Sequence, residues 1–153
     1  MSLRMATKPP IIIGWRESVA LPELGIQEAI AKIDTGARTS AIHATRIKVF
    51  EKDGQDWVRF HVPHAGLESA VTCQARLVDR REIKNTSGIP QERLVIETQL
   101  VLGPHTWRVE VSLANRANMN LPLILGRTAI RRRNILVHPG RSHLADGTRK
   151  DHK

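Results

Sequence analysis

Ile30-Ala31-Lys32-Ile33-Asp34-Thr35-Gly36-Ala37 is the stretch whose reading decides the fold, and Leu123-Ile124-Leu125-Gly126-Arg127 answers it far downstream. An apolar run that ends on an acid and then turns through Thr-Gly presents one carboxylate at the tip of a rigid strand. Glycine stands where the backbone must turn tightly. A catalytic aspartate is displayed in this way. The acid turn occurs once in the chain. Chemistry by paired carboxylates needs two, so a catalytic reading of Asp34 predicts a symmetric homodimer.

Outward from that stretch, apolar alternation dominates and predicts an all-β chain. Strands are expected at 11–13, 27–33, 40–50, 57–62, 70–78, 94–102, 106–113 and 135–137. Asp53-Gly54 and Gly103-Pro104 are turn signals between strands. The apparent order is a meander, with one short helix starting near Thr128. The run Leu121-Pro122-Leu123-Ile124-Leu125 carries no charge and is predicted to lie beside the strand that displays Asp34. Segment 80–91 is polar, holds Asn85, Ser87, Gly88 and Pro90, and reads on its own as a hairpin loop.

A length of 153 residues suits one domain that buries its core without staples. The domain is expected over 10–138, followed by a basic, flexible tail over 139–153. Cys73 is the only cysteine, which rules out an internal disulfide and suits a reducing cytoplasm. The sequence has neither the features of a signal peptide nor an apolar run of membrane-spanning length, so a cytoplasmic protein is expected. The net charge of +9 is uneven, with +5 in residues 131–153 and +4 in residues 1–130. The basic tail reads first as a solvated end, with attraction of nucleic acid or an acidic polypeptide as the alternative, and the body cations Arg38, Arg80, Arg81, Lys84, Arg93 and Arg127 weigh more because several flank the acid turn. Aromatic residues make up only 3% and tyrosine is absent, which leaves few platforms for stacking bases and argues against nucleic acid.

The acid turn and the later apolar-apolar-Gly-Arg block together resemble the retropepsin-like aspartic peptidases. The longer stretch KIDTGARTSAIHA over 32–44, the segment Arg81-Glu82-Ile83-Lys84-Asn85-Thr86-Ser87-Gly88, and Asn115-Arg116 before LPLILGR are similar to one bacterial branch, the RimB-like family, also labelled ATP-dependent zinc proteases. The resemblance covers roughly 10–138. It implies a retropepsin-like acid-protease barrel with one short C-terminal helix, in which Asp34, Thr35 and Gly36 form half of the catalytic site. Gly126 and Arg127 would brace the acid loop or the dimer interface, and 80–91 would be the hairpin lid over the substrate groove. It further implies a glutamate-rich or oligoglutamylated polypeptide substrate and a functional link to a glutamate ligase.

Residue chemistry qualifies the labels. Viral retropepsins carry further acids after the turn, whereas this chain has Ala37-Arg38-Thr39-Ser40, a fixed positive charge that suits an acidic substrate. Arg38, Lys84 and Arg93 are the expected substrate-binding cations. No metal ligand set has convincing spacing: H-E-x-x-H and C-x-x-C are absent, His61 and His64 lack an acid or cysteine partner, and convergence of both with Cys73 is a minor alternative. His43 is expected to be structural. Without a phosphate-binding glycine loop, any ATP dependence would belong to a partner, so no cofactor is expected. Cys73 in an alternating strand reads as a buried thiol, and no nucleophile elbow is present. Two readings remain: a homodimeric aspartic peptidase, or a non-catalytic retropepsin-like module that binds acidic peptides.

Overall fold

The computed structural model describes residues 9–63, 69–84, 88–115, 121–131 and 133–145, with side chains described at all of these except 83 and 84. Among the described residues eleven strands and one short α-helix follow in chain order, with a single 3-10 turn at Pro22–Leu24 between the second and third strands: β1 (Ile11–Gly14), β2 (Arg16–Leu21), β3 (Ile26–Asp34), β4 (Ser40–His43), β5 (Thr45–Lys52), β6 (Gln55–Val62), β7 (Val71–Lys84), β8 (Pro90–Leu102), β9 (His105–Ala114), β10 (Leu123–Gly126), α1 (Arg127–Ile130) and β11 (Ile135–His138). Among the described residues no helix is long and apolar enough to cross a membrane.

Six strands close into a barrel in the order β2-β3-β10-β4-β9-β8, sealed where Val19 and Ala20 of β2 pair with Leu102 and Val101 of β8. Closure removes the sheet edges that an open arrangement would leave unpaired. Inward residues of the barrel strands, among them Ile26, Ile33, Ile96, Leu100, Leu123 and Leu125, form one continuous core with Phe60 and Val58 of the neighbouring arm. That arm is β7-β6-β5, which extends the sheet from the outer half of β8.

The strand order departs from a meander. Strand β10 is inserted between β3 and β4, parallel to the first and antiparallel to the second, and β4 runs parallel to β9. Leu123 and Leu125, both fully buried, make β10 a central strand, which its uncharged sequence permits. The run 40–50 also divides. Ala44, buried and donating its N–H to the Ala114 carbonyl at 3.0 Å, ends the barrel strand, and β5 then leaves to form the rim of the arm.

The polar segment 80–91 is largely strand. Arg80 to Lys84 pair with Leu94 to Pro90 in a hairpin beyond the barrel, whose tip, 85–87, lies outside the described residues. At its base Arg81 bridges Asp79 and Glu110, both at 2.7 Å. The Arg81 hydrogen bond holds the Asp79 carboxyl below the usual carboxylate range.

Packing continues past residue 138, where the sequence suggested a domain end. Buried Glu17 accepts N–H bonds from Gly14 (2.6 Å), Leu144 (2.7 Å) and Ala145 (3.2 Å). Trp15 and His143 add main-chain bonds between β1–β2 and this segment, each 2.9 Å. A carboxylate fed by several backbone donors is a strong anchor, which fixes 141–145 against the barrel. Residues 146–153 lie outside the described residues.

Candidate active site

Asp34 is the last residue of β3, half-buried, and pairs in register with Gly126 of the parallel strand β10. The acid turn and the Leu123–Arg127 block are therefore neighbours, as LPLIL beside the acid strand predicts. Gly36 N–H donates to Asp34 Oδ1 at 3.1 Å, and Ala37 N–H donates to the Asp34 carbonyl at 3.1 Å. These bonds close the turn and fix the carboxylate in one orientation.

The loop is clamped from behind by the residues that follow β10. Arg127 N–H donates to Ala37 O at 2.8 Å, and the Thr128 hydroxyl donates to Arg38 O at 2.7 Å. The Arg127 guanidinium reaches Gly36 O at 3.2 Å and, more weakly, Thr35 O at 3.5 Å. Ser40 completes the clamp: its buried hydroxyl accepts Gly126 N–H at 3.0 Å, while its carbonyl accepts the Ser112 hydroxyl at 3.0 Å. Gly126 is required by space. A Cβ there would stand 2.8 Å from Ala37 O and Thr39 C and 2.9 Å from Thr39 O.

One chain thus carries one carboxylate, oriented by a main-chain donor, on a loop held by hydrogen bonds from two directions. A profile described as RimB-like, retropepsin-like aspartic endopeptidase RimB, matches residues 12–148. The chain belongs to the RimB-like family. The crystal structure of a protein of unknown function from Legionella pneumophila superposes with a TM-score of 0.76 at 29% identity, covering 89% of this chain and 98% of that one. Curated relatives named probable alpha-L-glutamate ligase come from Desulfotalea psychrophila, 42% identical over 82% of this chain, and Shewanella halifaxensis, 40% identical over 86%. This RimB-like chain spans only 27% and 29% of those two proteins.

Asp34, Thr35, Gly36, Arg38, Gly126 and Arg127 are gathered on one acid loop and its clamp, with Thr35 and Arg38 exposed. Lys84 and Arg93 belong to a different element, the β7–β8 hairpin, where Arg93 is partly buried opposite Arg81 and the Lys84 main chain pairs with Pro90. His43 is buried on β4 with Nδ1 3.2 Å from the Ala114 carbonyl. His61 sits in β6, and His64 lies outside the described residues. Cys73 faces the core opposite Phe60, and burial pushes its thiol up to about 12. Ser40 and Thr128 hold the site without any sequence signal of their own. Nothing in their local context distinguishes them from ordinary strand and helix-start residues, since their role is set by contacts across about ninety positions.

Proposed function

We propose that the chain acts as a homodimeric aspartic endopeptidase on glutamate-rich polypeptides, with Asp34 of each copy supplying half of the site. The observation that carries this is the fixed, half-buried Asp34 carboxylate at the junction of β3 and β10, with Gly36 N–H on one oxygen. Two such carboxylates facing each other across a two-fold axis cannot readily ionise together, so they share one proton. The ionised Asp34 takes a proton from a water whose oxygen attacks the scissile carbonyl carbon. The protonated Asp34 gives its proton to the carbonyl oxygen. Collapse of the resulting diol breaks the C–N bond, and the amine leaves with a proton returned by the acid pair.

Arg127 and Thr128 contribute by holding the loop main chain, so the carboxylate is positioned before substrate arrives. Exposed Arg38 on the acid loop, Arg93 and Lys84 on the hairpin, and a net charge of +9 support selection of carboxylate-bearing chains. The relatives' names associate this kind of chain with glutamate ligases, which supports a substrate bearing added glutamates and a ligase as functional partner.

The test is hydrolysis of an oligoglutamate peptide beside a neutral peptide of equal length. The proposal expects preference for oligoglutamate, loss of turnover with retained binding in Asp34→Asn, and weaker, more salt-sensitive use of the acidic peptide in Arg38→Ala. Saturable binding of oligoglutamate without any cleavage would establish the acidic-peptide binding module instead. Equal cleavage of both peptides, unchanged by Arg38→Ala, would refute the acidic substrate while leaving the peptidase.

A further inference from the structure

A pocket of about 620 Å³ opens between the β1–β11 pair and the start of β9, beyond the C-terminal end of α1, whereas the acid loop is clamped at the other end. Its size falls within the range of small-molecule sites. Ile11 and Ile135, register partners across the parallel β1–β11 pair, form an apolar wall. Trp107 faces them, buried, with its indole N–H committed to the Ala129 carbonyl at 2.8 Å, so the ring is fixed in place.

Over that ring lies the Arg133 guanidinium, 5.3 Å from the ring centroid. An arginine stacked on an aromatic face loses little freedom when it binds, and its planar fork still presents N–H donors that match a carboxylate. His105, Thr106 and Asn134 add polar residues to the same lining, and no acid occurs among the described lining residues. The formal charge among the described lining residues is therefore that of Arg133 alone, and these polar residues share the lining with apolar Pro9, Ile11, Trp107 and Ile135.

We infer that this pocket binds a small organic carboxylate, its anionic end on Arg133 beside His105 and its carbon chain against Ile11, Ile135 and Trp107. A bare inorganic anion would leave the apolar wall uncovered, which is why an organic body is assigned. The site is separate from Asp34 and stands independently of the peptidase reading.

The test is a titration of the full chain with glutarate, followed through the Trp107 indole N–H resonance, which Trp107→Phe identifies. A saturable shift is expected, weakened roughly tenfold or more in Arg133→Gln and unchanged in Asp34→Asn. The melting temperature of Arg133→Gln, expected within about 4 °C of wild type because only an exposed stacking contact is lost, separates loss of the site from loss of the fold. Dimethyl glutarate should not bind. Absence of a shift, equal affinity in Arg133→Gln, or binding of inorganic phosphate as tight as that of glutarate would each overturn the assignment.

Discussion

Replacing Gly126 by alanine isolates the close approach of β10 to the acid loop from every other role of that glycine. Its backbone, at φ −82° and ψ 174°, is open to any residue, so alanine introduces no conformational strain. The obstacle is space. The added carbon would meet Ala37 O and Thr39 C at 2.8 Å and Thr39 O at 2.9 Å, where ordinary contact begins near 3.4 Å. All these atoms are main chain, so no side-chain rotation relieves the overlap and the loop itself must shift by about half an ångström. Overpacking of this kind costs about 1–3 kcal/mol, equivalent to a fall of roughly 2–4 °C in Tm per kcal/mol for a domain of this size. Turnover should suffer more than stability, because the shift acts on the loop that holds Asp34 through Arg127 N–H and Ala37 O. A loss of about ten- to a hundredfold in kcat is expected from a displacement below one ångström. Urea unfolding and oligoglutamate hydrolysis, both measured well below Tm, give the two numbers. Gly54→Ala is the control: its left-handed φ of 74° imposes strain, but its Cβ would meet nothing within 4 Å, so stability should fall with turnover unchanged. A Gly126→Ala protein within about 0.5 kcal/mol of wild type and fully active would refute the reasoning.

Glu17→Gln should cost roughly 1.5–3 kcal/mol, because the amide loses charge-assisted bonds from Gly14, Leu144 and Ala145. Hydrogen exchange at Leu144 and Ala145 should accelerate well before the barrel amides, and unchanged protection there would contradict the anchoring role. Cys73 should resist alkylation in the native protein at pH 8, since burial raises its thiol to about 12, and rapid labelling without unfolding would show the site to be open. The folded state keeps that proton where the unfolded state, near the ordinary 9.0, releases it. This group's contribution to stability is therefore lost as pH rises from about 9 to 12, and comparing wild type with Cys73→Ala across that window reads it directly.

The turns were the most legible elements, since local chemistry alone specifies them. Asp53 and Gly54 adopt φ of 54° and 74°, the two-residue hairpin their types demand, and Gly103 turns at φ 60°. The acid turn was legible for the same reason, and its contact with β10 followed from an uncharged run that had to be central. Sheet order was not legible, because inserting β10 between β3 and β4 depends on barrel closure. Pairing across ninety positions leaves no local trace. The break at Ala44 was hidden because Arg46 takes its left-handed φ of 52° without a glycine to signal it, and the register shift between Thr45 and Lys48 and the change of partner from β9 to β6 are set by distant strands. The hairpin arms at 80–91 carry a loop-like sequence because most of their described side chains are exposed, which removes the apolar alternation that marks a half-buried strand. Glu17 did leave a signal: it is in phase with Val19 and Leu21, so strand periodicity places a carboxylate on the core face, where it must find donors.

Mixing wild-type chain with Asp34→Asn chain tests the two-carboxylate site most directly. If each active centre needs Asp34 from two copies, an equal mixture at exchange equilibrium should retain about half the activity per wild-type chain, because half of those chains are paired with an inactive partner. Excess Asp34→Asn should suppress activity further, towards zero. Activity per wild-type chain that stays constant at every mixing ratio, after exchange is verified, would contradict the account.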